Sequence, residues 1–164
     1  MSYAIEACKE SQYLDDQNIY VSTEDEEIAG VAIQYGVKVI DRPSELSEDH
    51  VWTQDVLSHA LEWSERQTGS EFDVLVRVQA NSPQITSDKI DECIKKLQDF
   101  NLWEVFTVDE DGIEDAAVHV MLRRCVNQKA LSVYKGVVRT DYIDVHSTQD
   151  VDKIAKLMKE IKKC

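Results

Sequence analysis

Tyr20-Val21-Ser22-Thr23-Glu24-Asp25-Glu26-Glu27-Ile28 begins as a short apolar strand, from Ile19 to Ser22, and breaks at its carboxyl end into small polar and acidic residues. Thr23 followed three residues later by Glu26 is a capping-box pattern, so a helix is expected to open there. Ile28, Val31, Ala32 and Tyr35 continue it at helical spacing, and Gly36 supplies a C-terminal stop. A strand that hands over to a helix through polar residues is where open α/β sheets place their ligands.

The same alternation extends outward on both sides. Tyr3 to Leu14 reads as an amphipathic helix with Ile5, Cys8 and Tyr13 inward, and no strand precedes it. Val37 to Ile40 is the next strand, ending in Asp41-Arg42-Pro43. After a loop from Ser44 to His50, a helix is expected from Val51 to Gln67 on a core face of Val56, Leu57, Ala60, Leu61 and Trp63. Phe72 to Val78 suits a central parallel strand, although Asp73 and Arg77 interrupt its apolar run. Asp88 to Phe100 is helical, with Ile90, Cys93, Ile94 and Leu97 on one face. Such alternation predicts an α/β fold, a three-layer doubly wound and mostly parallel sheet.

The last third reads differently. Leu102 to Val108 is a strand and Asp109-Glu110-Asp111-Gly112 a turn, while Ala117 to Val126 and Leu131 to Arg139 look like extended or hairpin segments of an insertion. Ser147 to Asp150 caps a final helix with Val151, Ile154, Ala155, Met158 and Ile161 inward. One domain is expected over residues 1–164, with an insertion around residues 112–140.

Composition narrows the function. Hydrophobic residues make up 43% and charged residues 30%, and no apolar run approaches the roughly 20 residues of a membrane span. Met1 to Ser11 lacks the basic start and apolar centre of a signal peptide, so a cytoplasmic protein is expected. Cys8, Cys93, Cys125 and Cys164 form no metal or redox spacing. Against 32 Asp and Glu stand 18 Lys and Arg, a net charge of −14 that repels nucleic acid. It also repels nucleoside triphosphates unless cations are concentrated locally. His50, His59 and His119 show no convincing partners, and Cys125 beside Arg123 and Arg124 reads as a buried thiol.

Three segments resemble the nucleotide-sugar cytidylyltransferases, specifically the acylneuraminate synthetases and their CMP-Kdo relatives. Val21-Ser22-Thr23-Glu24-Asp25 is similar to that family's VSTDD, Arg42-Pro43-Ser44-Glu45-Leu46-Ser47-Glu48-Asp49 to RPxxLAxD, and Val78-Gln79-Ala80-Asn81-Ser82-Pro83 to LQxTSP. Their order and spacing, over Tyr3 to Phe100, carry the resemblance. It implies a nucleotide-diphospho-sugar-transferase-like fold and transfer of CMP from CTP to an acidic sugar of the sialic acid or Kdo type. The resemblance implies Arg42 and Thr53 as residues near the cytidine moiety, Gln79 as a residue of the sugar-acid pocket, and Ser22, Asn81 and Ser82 as further substrate-binding residues.

Ile143-Asp144-Val145-His146 resembles the family's IDID, whose aspartates bind magnesium. Asp144 is retained and His146 stands in the second place, so the implied cofactor is Mg²⁺ or Mn²⁺ on Asp144 and His146. The chain opens after the point where the family's first strand and basic phosphate-binding loop belong, so weak CTP binding is expected. An alternative follows, a non-catalytic binding or assembly protein that keeps the fold. The resemblance also implies a homodimer, with Ala116 to Arg139 as its arm.

Overall fold

The computed structural model describes residues 1–143, 145 and 147–161, with side chains as far as residue 156. Its elements run α1 (Ser2–Glu10), β1 (Tyr20–Thr23), α2 (Glu26–Gln34), β2 (Lys38–Asp41), α3 (Thr53–Thr68), β3 (Val74–Val78), α4 (Ser87–Asp99), β4 (Glu104–Val108), β5 (Glu114–Leu122), β6 (Lys135–Arg139) and α5 (Thr148–Ile161). The expected α/β alternation is present through β4, with boundaries displaced by one or two residues at most elements. The helix at the amino end is shorter than expected and leaves Tyr13 exposed.

Local chemistry explains the boundaries. Asp25, rather than Thr23, caps α2: its Oδ1 accepts from the N–H groups of Glu27 and Ile28 at 2.8 and 2.9 Å. The Thr23 hydroxyl instead accepts from the Asp25 N–H at 3.0 Å and holds the turn in front of the cap. Gly69 ends α3 in a left-handed conformation, φ 67°, as a residue without Cβ does readily.

The strands form two sheets. β1 and β2 pair in parallel, and the other four run in the order β3-β5-β4-β6. β4 and β6 are parallel, while β5 is antiparallel to both β3 and β4. The stretch expected as an insertion is therefore partly the second strand of this sheet. Ala117, Val118 and Val120 of β5 are completely buried, which fits a strand paired on both edges and covered on both faces.

Two apolar clusters lie on opposite faces. One joins Ile5 and Cys8 of α1, Ala32 of α2, and Ile90, Cys93, Ile94 and Leu97 of α4 to Val105, Val118, Val120 and Val138. The other joins Leu57 and Leu61 of α3 to Leu75, Met121, Cys125 and Val126. Helices thus cover both faces, and the fold is three-layered.

Candidate functional site

A gap divides the molecule where the two sheets meet. In the β1–β2 ladder, Lys38 and Arg42 donate to the carbonyls of Ile19 and Thr23 at 3.4 and 3.1 Å. Alternation along the strand therefore turns the backbone groups of Tyr20 and Ser22 away from β2. In the β3–β5 ladder, Gln79 donates to Ala117 at 2.9 Å and Arg123 to Asp73 at 2.8 Å. By the same alternation, Val74, Val76 and Val78 turn theirs away from β5. Between β1 and β3 lies an open cleft of about 750 Å³, lined on its flanks by Ile5, Leu57, Ile94 and Leu97.

Four residues singled out from sequence meet in this cleft: Ser22, Arg42, Thr53 and Gln79. Ser22 sits near the end of β1, Arg42 directly after β2, Thr53 at the start of α3, and Gln79 directly after β3. They are separated by up to 57 residues in sequence (79 − 22), and strand-end geometry gathers them. Asn81 and Ser82 stand in the turn beyond the cleft lining. Ser82 is 1% exposed and its hydroxyl makes no hydrogen bond among the described residues, nor does Oδ1 of Asn81. The Asn81 carbonyl accepts from the Val145 N–H at 3.2 Å, joining the β3 turn to the approach to α5.

The electrostatics of the cleft are set by two arginines. Arg42 donates through Nε at 3.0 Å and through Nη2 to one oxygen of Glu24, and this pairing lowers the Glu24 pKa. Glu24 lies on the turn after β1, so the ion pair closes the β1 and β2 ends against each other. Arg77 projects from the middle of β3, and its Nη2 donates to the Ala116 carbonyl at 3.1 Å with Glu114 at 3.7 Å. Burial pulls its pKa down, opposed by Glu114 and Asp115. Its Nε makes no hydrogen bond among the described residues, and neither do Oη of Tyr20 and Oγ of Ser22. All three residues line the cleft.

Buried polar atoms without partners are costly, about 1–3 kcal/mol each, and in a cleft they mark positions where a polar ligand group gains most. Tyr20 was not legible as a site residue, whereas Arg77 stood out as a charge inside an otherwise apolar strand.

His119 does have a partner, contrary to expectation. Its Nε2 lies 3.1 Å from Oε2 of Glu104, both side chains being at least nine-tenths buried. Desolvation lowers the His119 pKa to about 4 and raises that of Glu104. A neutral imidazole beside a buried carboxyl is a structural pair, and Glu104 Oε1 also accepts from the Ser132 N–H. Cys125 is a buried thiol as expected, its pKa raised by desolvation.

A metal site was expected at Asp144 and His146; both lie outside the described residues. Among the described residues, no group of three or more His, Cys, Asp or Glu is placed to hold a metal ion.

The ordering of strand ends around one cleft agrees with the comparisons to known proteins. A family model described as cytidylyltransferase matches residues 1–137. The chain belongs to the cytidylyltransferase family. Over 91 residues it is 33% identical to N-acylneuraminate cytidylyltransferase A of Danio rerio, covering 56% of this chain and 20% of that protein. The chain thus spans about a fifth of that relative.

Its fold is similar to a solved CMP:2-keto-3-deoxy-manno-octonic acid synthetase complexed with CTP, at TM-score 0.69 and 12% identity over 97% of this chain and 87% of that one. It is also similar to a cytidylyltransferase from Leptospira borgpetersenii serovar Hardjo-bovis, at TM-score 0.57 and 14% identity over 98% of this chain and 83% of the other. No described helix is long and apolar enough to cross a membrane.

Proposed function

We propose that the cleft between β1 and β3 binds a cytidine nucleotide and an acidic sugar, and that the chain serves transfer of CMP from CTP to that sugar. The observation that carries this reading is the meeting of Ser22, Arg42, Thr53 and Gln79 at one cleft, with orphaned polar atoms on Tyr20, Ser22 and Arg77. Membership of the cytidylyltransferase family supports it.

In the reaction, a sugar hydroxyl attacks the α-phosphate of CTP and pyrophosphate leaves. Such chemistry rests on positioning and on neutralising phosphate charge. Ser22, Arg42 and Thr53 are assigned to the nucleotide. Gln79, with Asn81 and Ser82 behind it, is assigned to the sugar acid. Arg77 adds a cation facing the same space. A divalent ion would supply further charge neutralisation, with Asp144 and His146 as its assigned ligands. An imidazole donor suits manganese better than magnesium.

A second reading has an observation of its own. Arg42 is already engaged by Glu24, and the molecule carries a net charge of −14, so cationic charge at the cleft is scarce. That favours a non-catalytic member of the family, one that keeps the cleft for binding or assembly. Calorimetric titration with CTP and with CMP-sialic acid, each with and without Mg²⁺ and Mn²⁺, separates the two. Micromolar metal-dependent binding, followed by CTP-dependent pyrophosphate release with sialic acid or Kdo, supports transfer. Absence of binding at millimolar nucleotide supports the second reading.

A homodimer is part of the proposal. Leu131, Val133, Tyr134 and Val137 are exposed on and before β6, which is the last strand of its sheet. Light scattering at micromolar concentration tests it, and a monomer overturns it.

A further inference from the structure

A single charge stands among the apolar side chains of β3. Val74, Val76 and Val78 pack into the cluster shared with α1 and α4, and Leu75 into the cluster under α3. Alternation along the strand therefore sets Arg77, and Gln79 beyond it, on the α3 face with Leu75. Gln79 still donates to the Ala117 carbonyl, so the ladder and its alternation reach that far. The two residues are about 7 Å apart along the strand, within the length of one sugar acid.

The surroundings of Arg77 hold it in place and neutralise it only loosely. Its Nη2 donates to the Ala116 carbonyl at 3.1 Å, which fixes the guanidinium without cancelling its charge. Ala116 presents that carbonyl from a left-handed conformation, φ 58°, which a residue with a Cβ adopts only at a cost. Glu114 is 3.7 Å away, beyond hydrogen-bond distance. The Asp115 carboxylate is committed elsewhere, accepting from the hydroxyls of Thr107 and Thr140 and from the Ala117 N–H. His119, opposite Arg77 in the ladder, is neutral near pH 7. The Nε of Arg77 is left without a hydrogen bond among the described residues, on a side chain that is 19% exposed.

We propose that Arg77 selects the acidic acceptor: its guanidinium takes the carboxylate of the sugar acid in exchange for Glu114, while Gln79 holds the sugar's hydroxyls. This inference rests on the reading of the cleft as a nucleotide and sugar-acid site. The planar fork of an arginine matches a carboxylate, and partial burial protects the pair from screening. A neutral sugar leaves Arg77 with Glu114 and gains nothing from it, and specificity is that difference.

The test titrates the whole chain with CMP and then, in its presence, with sialic acid, Kdo and the methyl ester of each, read by saturation-transfer NMR. Esterification removes the charge that Arg77 would meet and leaves the rest of the sugar. In the parent, the acids should bind about tenfold tighter than the esters. Arg77→Met should abolish that difference by weakening the acids about tenfold, with the esters and CMP unchanged, and Arg77→Lys should restore part of it. Glu114→Gln frees the guanidinium without altering β3, so it should tighten the acids several-fold and leave the esters as they were. Acids and esters weakened alike by Arg77→Met would make the arginine structural and overturn the proposal. Equal binding of acids and esters to the parent would overturn it too. If the arginine variants do not fold, unchanged acid binding in Glu114→Gln overturns it. A parent that binds CMP but neither sugar overturns this inference alone, whereas one that binds neither nucleotide nor sugar overturns the nucleotide reading with it.

Discussion

Val76 and Val120 are the same residue type, sit opposite each other in the β3–β5 ladder, and live in different surroundings. Val120 is completely buried, with β4 on its other side, whereas Val76 is half-buried on the edge that borders the cleft. The contrast holds for the two regions they belong to. The β5–β4 region has each strand paired on both sides and its buried ionisable pair matched. Among the described residues, the β1–β3 region has two edges without a strand partner and polar atoms of Tyr20, Ser22 and Arg77 without a hydrogen bond. One region is closed by its own strands, and the other presents an open cleft.

The largest expected effect tests the closed region through its buried pair. The His119 pKa is about 4 in the fold against an ordinary value near 6.5. Between those values the unfolded chain binds a proton that the folded chain refuses, so stability present above pH 6.5 is lost as the pH falls toward 4. His119 alone accounts for up to about 3 kcal/mol of that loss. The raised pKa of Glu104 works in the opposite sense, adding stability on acidification, so the net slope is smaller. In His119→Gln, denaturant unfolding at pH 7 and pH 4.5 should show a smaller difference than in the parent; an equal difference breaks the assignment.

Next is the valine pair itself. Val120→Ala leaves a cavity among atoms that cannot relax into water and is expected to cost about 2 kcal/mol, whereas Val76→Ala should cost about half as much. Equal values from urea unfolding would mean that the cleft is closed in solution. Removing the cap in Asp25→Ala should cost about 1 kcal/mol, because two N–H groups of α2 lose their acceptor. The same measurement reads it.

The smallest effect on stability is also the most telling. Ser22→Ala removes a hydroxyl that has no hydrogen-bond partner among the described residues, so thermal unfolding should stay within about 0.5 kcal/mol of the parent. In the calorimeter the same change should weaken CTP several-fold if the proposed assignment holds. A loss of stability instead would show that the hydroxyl is already satisfied.

Much of this was readable along the chain. The helices of the first two thirds announced themselves by apolar spacing, as Ile90, Cys93, Ile94 and Leu97 did for α4, because local periodicity survives whatever the neighbours are. Ser22, Arg42, Thr53 and Gln79 were singled out by resemblance to the family's motifs, and each stands near the end of a strand or at the start of a helix. Other features were not. Glu114–Leu122 carries a mixed pattern, and its place between β3 and β4 depends on pairings across tens of residues. The pairing of Arg42 with Glu24 is another, because parallel pairing of β1 and β2 sets their ends side by side. Thr23 and Asp25 both suit a cap, and only the turn geometry selects Asp25.

Sequence by itself determined the element types, the acidic surface and the family, because these depend on residue identity and short-range spacing. Tertiary structure alone decided three things: the burial of His119 against Glu104, the split of the sheet, and the cleft between β1 and β3. Each is a relation between residues distant in sequence, fixed by which backbone edges find partners and which do not.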